Sequence, residues 1–296
     1  MERHHRRLFF QVLVILLLTS TVLVSCGGDN YFTQMAGKSS DEALYADALK
    51  LVDQREYDEA LAKIASMSAS GQSDQEVVRT RAGIYAGKCG LDFLDFVSKL
   101  DQGSSPFSLF MGGFRGVAVN VAHCQTAQNL IETNFGATGV QREALLGARI
   151  GGNLFMAVLG MTKIGTQLRA VADVDGAGGT GNGTVDAGFD ACDAGSISDT
   201  DLVNVGTGFA LLLDNLAAIA SSLSGSNASL LDGINATCGD PLMPTNPCTA
   251  TSTSDPVWSD GNTRTIIRSL IKSQSFGIEA CASGPAPIPY PFNCCF

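Results

Sequence analysis

The stretch ALLGARIGGNLFMAVLGMTKIGTQLRAVA, residues 144–172, decides what kind of fold this chain can adopt. It has the length of a long helix, is apolar almost all round, and carries Arg149, Lys163 and Arg169 as its only charges. A helix that is hydrophobic on every side is either a membrane span or the covered centre of a bundle. A span needs about 20 consecutive apolar residues. The three charges leave apolar runs of about a dozen residues, well short of that length. The stretch therefore reads as a buried bundle helix. Gly147, Gly151, Gly152, Gly160 and Gly165 let neighbouring backbones approach it closely. The flanking segments PFSLFMGGFRGVAVNVAHC (106–124) and DLVNVGTGFALLLDNLAAIASSL (201–223) have helix length too, broken by Arg115 and Asp214. Residues 103–233 are expected to form an apolar helical core, set off from the chain before it by Gly103-Ser104-Ser105-Pro106.

Upstream the pattern is amphipathic. Ser39 or Ser40 can cap a helix whose first turn holds Asp41 and Glu42, with Ala43, Leu44, Ala48, Leu51 and Val52 at helical spacing. A second run, Tyr57 to Met67, places Ala60, Leu61, Ile64 and Ala65 on one face. A shift of 34 residues carries Ala48 onto Ala82, Leu51 onto Tyr85, Tyr57 onto Leu91, Asp58 onto Asp92 and Ala60 onto Leu94. With EYDEAL (56–61), this period resembles the tetratricopeptide (TPR) family of helix-turn-helix repeats. Leu94 stands where that family has a small residue, and SGQSDQE (70–76) is a loose linker, so two unrelated helical hairpins remain an alternative. The fold expected is mainly α: TPR-like helical hairpins at 41–102, a helical bundle at 103–233, and an irregular, disulfide-rich segment at 234–296.

That last segment holds one amphipathic helix. Asn262 or Thr263 should cap it, with Ile266, Ile267, Leu270 and Ile271 inward and Arg264, Arg268 and Lys272 towards solvent, ending near Gly277. The final SGPAPIPYPFNCCF (283–296) is held extended by its prolines.

The other end of the chain gives an address. MERHHRR (1–7) is basic, LFFQVLVILLL (8–18) is apolar, and Leu23-Val24-Ser25-Cys26 follows. This resembles the lipobox of bacterial lipoproteins. The resemblance implies a signal peptide at 1–25, lipidation of Cys26 with fatty acid such as palmitate, and a tether at 26–40. Several acyl chains on one residue give stable anchoring. Gly27 rather than Asp after the lipidated cysteine implies the outer membrane, facing the periplasm. An ordinary cleaved signal is the alternative.

The signal holds Arg3, Arg6 and Arg7 against Glu2, so its removal leaves 16 basic and 28 acidic residues, a net charge of −12. That surface repels polyanions and sets nucleic acid aside as a partner. Of nine cysteines, Cys26 is reserved for lipid. The even remainder, Cys89, Cys124, Cys192, Cys238, Cys248, Cys281, Cys294 and Cys295, suits disulfides in an exported chain, and the spacing shows no C-x2-C zinc pattern. TCGDPLMPTNPC (237–248) carries three prolines and an Asn that bend Cys248 back towards Cys238. Adjacent Cys294 and Cys295 should pin the tail to two different places.

No catalytic constellation emerges. His123 is the one histidine beyond the signal, and its neighbour Cys124 points about 100° away along a helix. No catalytic residue is nominated and no enzyme is expected. The stretch DVDGAGGTGNGTVDAGFDACD (173–193) has residue types that suit a hard cation such as calcium. Its candidate ligands are Asp173, Asp175, Asn182, Asp186 and Asp190, although Ala177 and Thr184 fall where an EF-hand loop needs acids. A merely acidic, Gly-rich linker is the alternative. The function expected is a lipid-anchored, non-enzymatic binding or scaffold protein that meets an envelope protein partner through its helical repeats. The alternative is a periplasmic carrier of a hydrophobic small molecule. The layout is similar to the TPR lipoproteins of tripartite uptake systems, which implies association with a transport system.

Overall fold

The structure, a computed structural model, describes residues 40–99, 105–146, 150–175, 179–219 and 238–296. The expected signal segment with Cys26, the tether up to residue 39, Gly147, Arg149 and the end of the third apolar stretch lie outside them. Eleven α-helices and no β-strand occur among the described residues. The chain divides into two compact units, Met1–Val77 and Val78–Phe296.

In the first unit, α1 (Asp41–Asp53) and α2 (Tyr57–Ala65) form a hairpin, followed by the short α3 (Ala69–Gln72). The Ser40 side chain caps α1 by accepting the Ala43 N–H at 3.3 Å. Ala48 and Ala60 are wholly buried, and their small side chains let the two helices close on each other. Asp41 accepts the Ser68 N–H at 2.7 Å, tying the start of α1 to the cap of α3.

Helix α4 (Gln75–Cys89) begins before the boundary between the units, and α5 (Phe93–Lys99) follows it. Helix starts at 41 and 75 differ by 34 residues, and those at 57 and 93 by 36. Ala82 is wholly buried like its counterpart Ala48, but Leu94, the counterpart of buried Ala60, is 72% exposed. With α3 interposed as well, only the first helix of the second pair keeps the 34-residue offset, and the packing of the expected repeat is not reproduced.

The segment 106–124 is not one helix. It breaks into α6 (Pro106–Gly112) and α7 (Val121–Phe135). Gly113 ends α6, and Gly116 at φ 71° turns the chain through a conformation that side chains disfavour. Helix α7 then buries Cys124, Ala127, Ile131 and Phe135, a helical stripe masked in the sequence by the polar residues between them. After α8 (Gly139–Leu146) come the long helices α9 (Ile150–Ala172) and α10 (Asp199–Ala218). No described helix is long and apolar enough to cross a membrane.

Helix α9 packs against α10, α6, α7 and α8. Its crossing with α10 is backbone on backbone: a Cβ on Gly160 would lie 2.7 Å from the Gly208 carbonyl oxygen. Gly165 likewise abuts the backbone of Phe110 on α6, whereas Gly151 faces open space. Two apolar clusters result. One joins Phe107, Ile164, Leu168, Phe209 and Trp258 with the inner face of the last helix, and the other joins α4 and α7 through Val78, Ala82, Ile131 and Met156.

That last helix, α11 (Gly261–Lys272), is capped not by Asn262 or Thr263 but two residues before the nearer of them, by Asp260, which accepts the Asn262 N–H at 2.7 Å. Ile266, Ile267, Leu270 and Ile271 are wholly buried. Its basic residues do not face solvent as their spacing suggests. Arg268 is buried, donating to the carbonyls of Ala191, Asp193 and Ile197 at 3.0–3.1 Å. Arg264 pairs with Asp199 at 3.1 Å and Lys272 with Asp190 at 2.6 Å. Asp190 in the acidic loop and Asp199 in the first turn of α10 supply the counter-charges, a long-range match that helical periodicity does not register.

Candidate functional site

Asp173 follows directly on α9, at the mouth of the Gly-rich loop to α10. Its carboxylate is wholly buried. Oδ1 accepts the Asn182 N–H at 2.8 Å and Oδ2 the Gly183 N–H at 2.9 Å. Gly181, at φ 73°, brings the loop over it, and a Cβ there would strike the Asp173 carboxylate at 2.5 Å. Asp186 closes the loop from the other side. Its N–H donates to the Ala172 carbonyl at 2.8 Å while its Oδ2 accepts the Val174 N–H at 2.7 Å. Its Oδ1 is buried and accepts no hydrogen bond among the described residues. Asp175 is exposed, and its Oδ2 accepts an amide proton of Asn182 at 2.7 Å.

Carboxylate oxygens of Asp173, Asp175 and Asp186 lie within 4.8 Å of one another. Local desolvation, then the Asp186 and Asp173 charges, raise the Asp175 carboxyl above the ordinary aspartate range. A hard dication seeks such a group, completing six to eight oxygens with carbonyls and water. Asn182 adjoins this group as a donor and not as an oxygen ligand, and Asp190 stands apart from it. Asn182 turns its NH2 to Asp175 while its Oδ1 accepts the Thr184 N–H at 2.8 Å. Asp190 sits on Lys272 and on the Cys192 N–H at 2.9 Å, contacts that hold its carboxyl below the usual range. Three of the five expected ligands converge. Arg169 on α9 fastens this loop by donating to the carbonyls of Thr180, at 3.0 Å, and Gly179.

A second polar group lies inside the helical core; of its members the sequence marks only Lys163 and Asp214, as charges inside apolar runs. Lys163, wholly buried on α9, donates to Gln125 Oε1 at 2.9 Å, Gln128 Oε1 at 2.7 Å and Thr207 Oγ1 at 2.9 Å. Gln128 passes the connection on to Glu132 at 2.7 Å and to the Thr251 carbonyl at 2.9 Å. Burial pushes the Lys163 amine down to about 7, opposed by the Glu132 charge, and burial raises the Glu132 carboxyl. Beside it Arg142 on α8, also buried, donates to Asn215 at 2.6 Å, Asn153 at 3.1 Å and Asp214 at 3.2 Å. Lys163 joins α9 to α7 and α10, and Arg142 joins α8 to α9 and α10, so the arrangement fixes the helix register. The only sequence sign of it was a charge at helical spacing inside an apolar run.

The eight cysteines stand in four pairs: Cys89–Cys124, Cys192–Cys295, Cys238–Cys248 and Cys281–Cys294, with Cα separations of 5.2–6.2 Å. Adjacent Cys294 and Cys295 do go to different partners. Cys124 is spent on Cys89, and His123 rests 5.8 Å from the Tyr85 ring, so no thiol–imidazole pair forms. Comparisons with protein-family models, with curated proteins and with solved structures return no match.

Proposed function

We propose that this chain is a lipid-anchored, non-enzymatic binding protein of the bacterial cell envelope, fastened through Cys26 and engaging a protein partner through its N-terminal hairpins. The observation that carries the reading is Leu23-Val24-Ser25-Cys26 directly behind a basic start and an apolar run. Four cysteine pairs at bridging distance suit an oxidising compartment. Metabolic labelling with a palmitate analogue tests the anchor. Label should enter the wild-type chain and vanish in Cys26→Ala, which should move from the membrane to the soluble periplasmic fraction. An unlabelled wild-type chain refutes the anchor. Cross-linking in intact cells tests the partner, and recovery of nothing above an unrelated lipoprotein control refutes that half.

A second reading concerns the acidic loop, and the buried, unpartnered Asp186 Oδ1 beside two further carboxylates favours it. Asp173, Asp175 and Asp186 would hold a divalent cation such as calcium, which closes the loop between α9 and α10. Calorimetric titration of the purified mature chain with calcium and with magnesium checks this. Saturable heat that is lost in Asp186→Asn supports it, and a flat wild-type titration refutes it.

A further inference from the structure

The four bridges fall into two classes. Cys89 and Cys124 are wholly buried, and Cys238 and Cys248 nearly so. Cys192, Cys281, Cys294 and Cys295 are only half-buried, and the Cys281 sulfur lies 3.2 Å from the Ser283 carbonyl at the exposed edge of the tail. Thiol–disulfide exchange requires a thiolate to reach a bridge sulfur, so access ranks these bridges. Both half-buried bridges end on two adjacent residues, Cys294 and Cys295.

The segment carrying them is otherwise lightly held. Residues 281–296 form no helix or strand, and one isolated bridge joins Cys281 to Ser273. The Cys295 N–H donates to Ser269 Oγ on α11 at 2.8 Å. The Tyr290 hydroxyl accepts the Ser275 N–H at 3.0 Å and donates to the Cys281 carbonyl at 3.2 Å. Phe292 is buried against the apolar cluster that α11 shares with α10. Through Cys192 the tail also reaches the acidic loop that Arg268 and Lys272 hold.

We propose that residues 281–296 are a reductively opened strap, which a dithiol releases from α11 and from the loop at Cys192 while the two buried bridges stay closed. One dithiol thiolate attacks Cys281 or Cys294, and the displaced sulfur leaves as a thiolate and takes up a proton. The second thiol of the reductant resolves the mixed disulfide, so the bridge is reduced to two thiols and the reductant is oxidised to its cyclic disulfide. A second equivalent opens Cys192–Cys295 in the same way. Phe292 then leaves the core, and Ser269 on α11 is uncovered.

Dithiothreitol is the probe, added in steps to the oxidised mature chain, with alkylation and peptide mass mapping of each cysteine. Cys281–Cys294 and Cys192–Cys295 should open at least tenfold faster than Cys89–Cys124 and Cys238–Cys248. In the same samples amide hydrogen exchange should accelerate across 281–296 and not across α9. A Cys281→Ser, Cys294→Ser, Cys192→Ser, Cys295→Ser variant should reproduce that exchange pattern without reductant. Reduction of all four bridges at one rate overturns the proposal. So does a tail whose exchange is unchanged after its bridges open.

Discussion

Lys163 places a cation where the surroundings are helices on every side. Three oxygens meet its amine, and the Thr207 hydroxyl that supplies one of them donates its own proton to the Val203 carbonyl at 2.8 Å. The cage therefore offers acceptors to an ammonium, while burial drives the amine down to about 7 from an ordinary value of 10.5. Between those two pH values the unfolded chain binds a proton that the folded chain refuses. Stability thus falls as pH falls from about 10.5 to about 7, by up to about 1.4 kcal/mol per pH unit. Urea unfolding of wild type and Lys163→Met at pH 7, 8 and 9 checks this. The wild type should gain on the variant at each step up, and a constant difference would mean the cage keeps the proton throughout. Arg268 gives a second residue-scale prediction. Arg268→Ala leaves the carbonyls of Ala191, Asp193 and Ile197 without their donor, at a cost of about 3 kcal/mol in urea unfolding. Arg264→Ala, losing a part-exposed pair, should cost under about 1 kcal/mol. Their spacing puts both arginines on one helix edge facing solvent, and the structure buries Arg268 on that edge. Which of them a distant loop would cover was not legible, because the loop's carbonyls lie about 70 residues away in the chain.

At the scale of elements, length and hydrophobicity sufficed for the long helices and failed where glycine decides. Helices α9 and α10 take up most of the apolar runs at 144–172 and 201–223, with residues 144–146 belonging instead to α8, while 106–124 split because Gly112, Gly113 and Gly116 end one helix and redirect the chain. The 34-residue echo was legible as spacing, but exposed Leu94 shows that spacing alone does not specify which helix face is covered. Close helix crossings were legible as a kind of residue, glycine, and not as positions. Gly160 meets the Gly208 carbonyl and the Leu212 N–H, backbone atoms that cannot swing aside, whereas Gly83 on exposed α4 surface has nothing within 4 Å. Gly160→Ala should therefore force α9 and α10 apart and destabilise by about 1–3 kcal/mol. Gly83→Ala should stabilise by about 0.5–1 kcal/mol through helix propensity. Thermal melts of the two variants test the contrast, and equal effects would mean that the crossing yields.

For the molecule as a whole, the acidic loop and the cysteine pairs tie together segments that are remote in sequence. Of the candidate cation ligands, the sequence offered five acidic or amide side chains, and three converge; Asp190 is drawn off by Lys272, a partner 82 residues away that no local pattern could name. The bridges close loops of very different size, with separations of 103 residues for Cys192–Cys295, 35 for Cys89–Cys124 and 10 for Cys238–Cys248. A cross-link restricts the unfolded chain more when the loop is longer, giving about 5, 4 and 3 kcal/mol in that order from chain entropy alone. Double Cys→Ala variants of each pair, unfolded in urea without reductant, should lose stability in the same order. The two buried pairs act against that order, since removing them also opens space in the core, at about 1 kcal/mol for each missing methyl-sized group. If Cys238–Cys248 proves the costliest despite its short loop, local packing outweighs chain entropy. The irregular C-terminal region would then be held by its core contacts, with the bridges as reinforcement.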